Sequence, residues 1–409
     1  MKLKKTLIKI VSILLGYITL VFSYFTLRSN KIWIIGSLKQ FNCNSKYFYI
    51  FFNEEKEKHK DIKLIWISRD KKTIELMKKK GLNNAAYIWS LKGIYYLFRA
   101  KIYITSYPVD ESLCIWTMGT AKYINLWHGV GLKYHRFMQT DKKSYFYFHQ
   151  KITKILLRPF LINFYKKFDL FISTSPTMTE LFRKSFRISK DRIYNAIYPR
   201  CEFIIKDKGS ILSIIKKYDI NNSLDTIQTL KKYSSTYLYM PTWRDNTPDF
   251  LHQTGINFSE LNNYLLQKNQ LFIIKLHPRT PIPSNIKNNL SNIIILNNVI
   301  DIYSILPYIN TLITDYSSIY YDSLLLPNVN KILFPFDIKT YEKNNRNLAL
   351  PFDSCIAHPI VYTYEQLLHM MENYSALYIS DKDNEDRVKS IFWETKKNTI
   401  DIIEAIKKL

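Results

Sequence analysis

Short apolar runs alternate with longer amphipathic stretches along most of the chain. "IWIIGS" (32–37), "IKLIWIS" (62–68), "KIYITS" (101–106), "KYINLW" (122–127) and "LFISTS" (170–175) have the length and β-branched content of buried strands. Between them, residues 72–80 and 91–100 carry apolar positions at helical spacing. This alternation predicts βαβ units around a parallel sheet. A polar segment, "KKYDINNSLDTIQTLKKYSS" (216–235), interrupts the rhythm. It resumes with "YLYMPT" (237–242), "LFIIKLHP" (271–278), "NIIIL" (292–296), "TLITDYS" (311–317) and "KILFPF" (331–336). The pattern predicts an α/β protein of two tandem Rossmann-type domains, residues 31–215 and 236–380, connected by 216–235. A cleft would then lie between the carboxyl ends of two parallel sheets, where open sheets bind ligands. A C-terminal segment, 381–409, is expected to be helical over 387–409, with Ile391, Ile400, Ile403 and Ile406 as its apolar set.

The first 30 residues depart from this rhythm. Residues 10–27 carry no charge, with Lys2, Lys4, Lys5 and Lys9 before them and Arg28 and Lys31 after. The run is at the lower limit for crossing a bilayer, and no small-x-small cleavage site follows it. A buried first helix of the domain is the plain alternative, but we expect residues 1–30 to form a membrane-associated helix, either a short span or one lying in the interface plane. Its basic flanks would hold the protein on the cytoplasmic face of the cell membrane, against anionic lipid.

Composition narrows the partners. The 409 residues exceed one ordinary core. Lys and Arg outnumber Asp and Glu 59 to 34, a formal charge of +25, which suits nucleic acid, an anionic membrane or a polyanionic substrate. No RNP, KH or zinc-finger pattern is present, so nucleic acid is not an expected partner. Cys43, Cys114, Cys201 and Cys355 show no CxxC spacing and read as reduced cytosolic thiols. With only 9 glycines in the chain, the place of each is informative.

The unusual polar residues fall immediately after strands. "NLWHGVGLK" brings His128, Gly129, Gly131 and Lys133 to a strand end. "YMPTWRD" brings Thr242, Arg244 and Asp245, "KLHPR" brings Lys275, His277 and Arg279, and "TDYSS" brings Thr314, Asp315, Ser317 and Ser318. Ser317 or Ser318 is a suitable N-cap for a helix running to Leu326, whose free N–H groups would attract an anion, phosphate above all. Arg279, Arg244, Lys275 and Lys133 would add cations, the arginines forking onto phosphate oxygens. Each cluster also has a plain reading as strand end, loop ion pair or helix cap. Their common placement favours a nucleotide diphosphate site.

Taken together, "WHGVGLK", "YPR" (198–200), "PTWRD", "KLHPR", "ITDYSSIYYD" and "FDIKTYEKNNRNLALPFD…HPIV" resemble the CDP-glycerol glycerophosphotransferase family, over at least residues 33–361. The resemblance implies a GT-B-like fold: two Rossmann-type domains facing a central cleft, acceptor side first and CDP-donor side second. It implies transfer of glycerol phosphate, or a related polyol phosphate, from CDP-glycerol or CDP-ribitol to a hydroxyl of a lipid-linked or polymer acceptor. CMP would be released in teichoic-acid-like or capsular polymer synthesis. By the same resemblance His128 is the general base and Asp322 a second catalytic residue. Arg244, Lys275, His277, Arg279, Thr314, Asp315, Ser317 and Ser318 hold the donor, with Gly129, Gly131, Lys133 and Arg200 in support. No DxD motif stands at a strand end, so side-chain cations are expected where other enzymes use a metal, with Mg²⁺ as the alternative cofactor. The chain departs from the family at Ile197 and at His358, where glycine is usual. A nucleotide-sugar glycosyltransferase on the same architecture is the competing reading.

Overall fold

The strands assemble into two fully parallel sheets. The computed structural model describes residues 2–38, 40–139, 162–244, 247–282, 286, 290–344 and 348–409; Asp245 lies outside them. The first sheet has seven strands: β1 (Ser29–Gly36), β2 (Lys63–Ser68), β3 (Ala85–Tyr87), β4 (Ala100–Thr105), β5 (Lys122–Asn125), β6 (Leu170–Ser173) and β7 (Ile193–Asn195). Their order is β3-β2-β1-β4-β5-β6-β7. The second has five, β8 (Ser235–Met240), β9 (Gln270–Ile274), β10 (Ile293–Ile295), β11 (Thr311–Thr314) and β12 (Asn330–Leu333), in the order β10-β9-β8-β11-β12. All ten strands expected from the pattern are present. The two that the pattern did not reveal, β3 and β7, are three residues long, too short to show a period.

Each sheet reverses its strand order once, between β1 and β4 and between β8 and β11. Ligands of open parallel sheets bind in the crevice at such a reversal. The two reversals face each other here, and that fixes where the site lies.

Three expectations meet a more specific structure. First, the connection 216–235 is itself structured. It is taken up by the end of a helix (Lys208–Tyr218), a second helix (Ser223–Leu230) and the start of β8. Asp219, between the helices, accepts from the Ser223 N–H at 2.9 Å. Second, the C-terminal helix is two helices, Lys382–Phe392 and Thr399–Lys407. The break returns the chain to the first sheet: Glu394 N–H donates to the Thr174 carbonyl and Ile197 N–H to that of Lys397, both at 2.9 Å. Trp393 donates its indole N–H to the Tyr321 carbonyl at 2.8 Å, so the tail clasps both domains.

Third, the N-terminal helix α1 (Lys2–Tyr24) stops short of Leu27. Among the described residues no helix is long and apolar enough to cross a membrane. One face of α1 lies on the first domain. Tyr17 meets Trp116 at a ring separation of 5.1 Å and Phe22 meets Phe98 at 5.6 Å. Gly16 passes so close to Trp116 that a Cβ would stand 2.5 Å from the indole. Arg28, expected to flank a membrane segment, instead donates to the Ala100 carbonyl at 2.6 Å. The other face leaves Leu14, Ile18 and Val21 exposed, followed by Phe25 and Leu27.

Candidate active site

A cleft of about 810 Å³ joins the two reversal points. The loops after β1, β4 and β5 line it from the first domain, with Cys43, Tyr107 and His128. The loops after β8, β9 and β11 line it from the second, with Thr242, Lys275 and Ser318.

His128 is held from both sides of its backbone. Trp127 adopts a left-handed φ of 55°, an uncommon conformation for a bulky residue that persists only where the surroundings impose it. The Asn125 carboxamide accepts from the Trp127 N–H at 2.7 Å, and Asn44 donates to the Trp127 carbonyl at 2.8 Å. The Trp127 ring is locked among Phe171, Phe182 and Phe186. The aromatic content thus serves the site through packing. The His128 Nδ1 lies 3.0 Å from the Ser106 carbonyl, which can only accept. Nδ1 therefore carries the hydrogen and Nε2 keeps its lone pair. Tyr107 stacks on the imidazole at 4.8 Å, with 11° between planes. Burial pulls the His128 pKa down to about 4, while one edge of the ring stays open to the cleft. The ring is neutral at neutral pH and able to take a proton.

Gly129 follows with φ 152°, a conformation L side chains rarely adopt. Beyond it lies Arg200, which starts in the first domain and ends in the second. Its Nη1 donates to the His128 carbonyl at 2.7 Å and its Nη2 to Asp322 at 2.6 Å. Asp322 is 0% exposed and also accepts from the Tyr303 hydroxyl. Expected as a catalytic residue, it faces a guanidinium inside the protein and not the cleft.

The "TDYSS" knot divides in two. The Thr314 hydroxyl donates to the Met240 carbonyl at 2.6 Å, tying β11 to β8. Asp315 accepts from the Thr242 N–H at 2.9 Å and pairs with Arg244 at 2.6 Å. Arg244, 1% exposed, turns its other edge to Asp337 at 2.8 Å. The expected donor contacts from Thr314, Asp315 and Arg244 are therefore corrected: these groups brace the loops from beneath, their hydrogen-bonding capacity already engaged. Ser317 and Ser318 do line the cleft, at the start of a helix that spans Ser318–Ser323 and not the longer run to Leu326. Tyr316, in the middle of the same motif, lines it too.

Lys275 reaches the cleft with its Nζ 2.9 Å from the Asn297 carbonyl, and burial pulls its pKa down to about 8. His277 lines the rim; its Nδ1 accepts from the Arg279 N–H at 3.2 Å. Arg279 itself is exposed, past the last lining residue of that loop, Pro278. Gly131 and Lys133 line the opposite wall, the Lys133 ammonium lying 5.6 Å from the Tyr341 ring centre. His358 takes no part in the cleft. It is buried against the Tyr320 hydroxyl at 3.0 Å, with Glu385 3.9 Å from its Nε2. Among the described residues no group of three or more His, Cys, Asp or Glu side chains is arranged to hold a metal ion. Tyr107, Asn44 and Asn125 were also missed. Tyr107 carried a signal, standing just past a strand end like the residues that were found.

The family described as CDP-Glycerol:Poly(glycerophosphate) glycerophosphotransferase matches residues 17–406. The chain is similar to a teichoic acid poly(glycerol phosphate) polymerase of Bacillus spizizenii, 29% identical over 386 residues, 90% of this chain and 91% of that protein. A teichoic acid poly(ribitol-phosphate) polymerase of the same organism is 23% identical over 366 residues, 86% of this chain and 52% of that protein. Among solved structures, the wall teichoic acid polymerase TagF superposes with a TM-score of 0.72 at 19% identity, covering 99% of this chain and 97% of that one. At that identity the likeness establishes the fold: two parallel-sheet domains in a GT-B-like arrangement.

Proposed function

The chain belongs to the CDP-glycerol:poly(glycerophosphate) glycerophosphotransferase family, and from that premise we propose how its cleft carries out the transfer. The reaction moves glycerol phosphate from CDP-glycerol to an acceptor hydroxyl in teichoic acid synthesis. A P–O bond forms between the acceptor oxygen and the phosphorus bearing glycerol. The bridging P–O bond to CMP breaks, and CMP leaves with the bonding pair. One observation carries this reading: a neutral imidazole with its lone pair at Nε2 shares a cleft with the start of the Ser318–Ser323 helix.

In this reading His128 takes the acceptor's proton as its oxygen attacks, a contribution of roughly 10²–10⁴-fold. The phosphates lie against Ser317, Ser318 and the N–H groups at that helix start, where the backbone dipole favours negative charge within the first turn. Lys275, His277 and Lys133 bring cationic or N–H donors to the phosphoryl oxygens. Charge that develops there and on departing CMP is met by groups already in place. Mg²⁺ would bind through the donor's phosphates, since among the described residues no His, Cys, Asp or Glu cluster is arranged for it.

The exposed face of α1 supports a location on the membrane surface. Together with Leu91 and Tyr95 on the helix Leu91–Arg99, it offers apolar side chains beside a strongly basic chain. That combination suits a helix lying in the interface of an anionic membrane. The cleft would then work on the cytoplasmic face, on an acceptor carried by lipid or polymer. The polyol is decided by assay. Purified protein incubated in parallel with CDP-glycerol, CDP-ribitol and UDP- or GDP-sugars should release CMP with the polyol donor it uses. Release of UDP or GDP would replace this reading with glycosyl transfer.

A further inference from the structure

We propose that Arg200 is a positioning residue for the proton acceptor: one buried guanidinium that holds the His128 backbone to the helix on which the donor phosphates rest. The inference rests on the reading of His128 as base and adds the part that aligns it. Arg200 leaves the first domain from the short helix Pro199–Ile204, which is anchored by an Arg200 N–H to Asn44 Oδ1 bond of 3.3 Å. Its fork spans two partners, the His128 carbonyl at 2.7 Å and Asp322 at 2.6 Å, while the guanidinium lies 4.4 Å from the Tyr303 ring centre. Lysine, a point charge, cannot hold two partners in fixed directions at once.

Asp322 and Ser318 are four residues apart in the Ser318–Ser323 helix and thus on one face of it. A phosphate that pulls on the helix start moves Asp322 as well. Through Arg200 that movement reaches the carbonyl of the residue whose imidazole must meet the acceptor. The same guanidinium closes over Gly129, where a Cβ would stand 2.9 Å from its Nη2. Cohesion of the domains does not depend on this pair alone. Lys46 of the first domain is paired with Asp301 of the second at 2.9 Å, also buried. Removing Arg200 should therefore disturb alignment more than it separates the domains.

The test uses the full chain with CDP-glycerol and a soluble acceptor, comparing Arg200→Lys, Arg200→Met and Asp322→Asn. Each should lower kcat at least tenfold with donor affinity, measured by calorimetry, within about threefold. The pair R200K/D322N should be no worse than R200K, because both break one connection. In R200M, loss of the positive charge should move the acid limb of kcat/KM to higher pH, which a purely structural defect would not do. If R200M does not fold, R200K and D322N decide. Wild-type kcat in R200K, or a donor-affinity loss with kcat unchanged, overturns the proposal. Persistence of transfer in His128→Ala would overturn the underlying base assignment instead, so the two failures are distinguishable.

Discussion

Gly129 and Ser318 belong to loops of opposite sheets, yet a Cβ on Gly129 would stand 3.3 Å from the Ser318 hydroxyl oxygen. The loop carrying the proton acceptor and the helix start offered to phosphate leave no room for a side chain between them. Glycine suits that position, because its φ of 152° is one that L side chains rarely adopt and a Cβ there would also stand 2.9 Å from the Arg200 Nη2.

Gly129→Ala is therefore expected to strain the backbone and push the two loops apart. Strain of this kind costs about 1–3 kcal/mol. A displacement well under the size of an atom is enough to lose a near-attack geometry. We expect a tenfold or greater fall in kcat with a modest loss in urea midpoint. Unchanged kcat would mean that transfer does not need the two loops so close.

His128→Ala should lower transfer by roughly 10²–10⁴-fold while donor affinity stays within a fewfold. In the wild type, kcat/KM should hold level as pH falls to about 5 and drop below it as the imidazole, with its pKa near 4, gains a proton. Bound donor brings negative charge beside the ring and favours its charged form. The acid limb of kcat should therefore lie at higher pH than that of kcat/KM. Equal limbs would place the donor's charge away from His128.

The two sheets were legible because their strands are short, apolar and separated by amphipathic stretches, and because strand ends collect the residues that do chemistry. The same rule placed His128, Lys275, His277, Ser317 and Ser318 on one cleft. It could not say which polar residues turn inward. Arg244 and Asp315 follow strands just as Lys275 does, but their charges satisfy one another and Asp337 beneath the loops. Pairing of this kind joins residues 71 and 93 positions apart and leaves no trace in local pattern. The tail was misread for a related reason. The break between Phe392 and Thr399 follows from backbone bonds to Thr174 and Ile197, far away in sequence.

Lys275→Met should raise the KM for donor about tenfold at pH 7, the loss of roughly 1.4 kcal/mol of ion pairing. Burial holds the wild-type ammonium's pKa at about 8, so it is charged below that pH and neutral above it. Donor KM in the wild type should consequently rise above pH 8, a rise missing from the Met variant. Should both enzymes share the same alkaline rise, another group is responsible.

His358 makes a prediction about stability. Burial, with Lys331 beside it, holds its pKa down at about 4, below the value near 6.5 of an unfolded chain. Between those limits the unfolded state binds more protons, so stability is lost as pH falls from about 6.5 toward 4. His358→Gln should show a smaller difference between urea midpoints at pH 7 and pH 5 than the wild type. His128 acts in the same direction and keeps part of the dependence in the variant. An undiminished difference would assign the whole effect to other groups.

The exposed face of α1 offers a sharper test of membrane docking than truncation does. Removing the helix would uncover Trp116 and Phe98, which Gly16, Tyr17 and Phe22 cover, so a truncated protein could leave the membrane through misfolding alone. Ile18 and Phe25 are 66% and 81% exposed and can be changed without opening that contact. Each would gain about 1.5–3 kcal/mol on full burial in an apolar phase. The double substitution I18D/F25D removes that gain and adds two charges that anionic lipid repels. Binding to vesicles of anionic phospholipid should weaken a hundredfold or more, since about 3 kcal/mol already corresponds to that factor. Activity on a soluble acceptor should remain, because neither residue lines the cleft. Vesicle binding equal to wild type would move the docking surface elsewhere, and raising the salt concentration would then show whether the basic charge alone provides it.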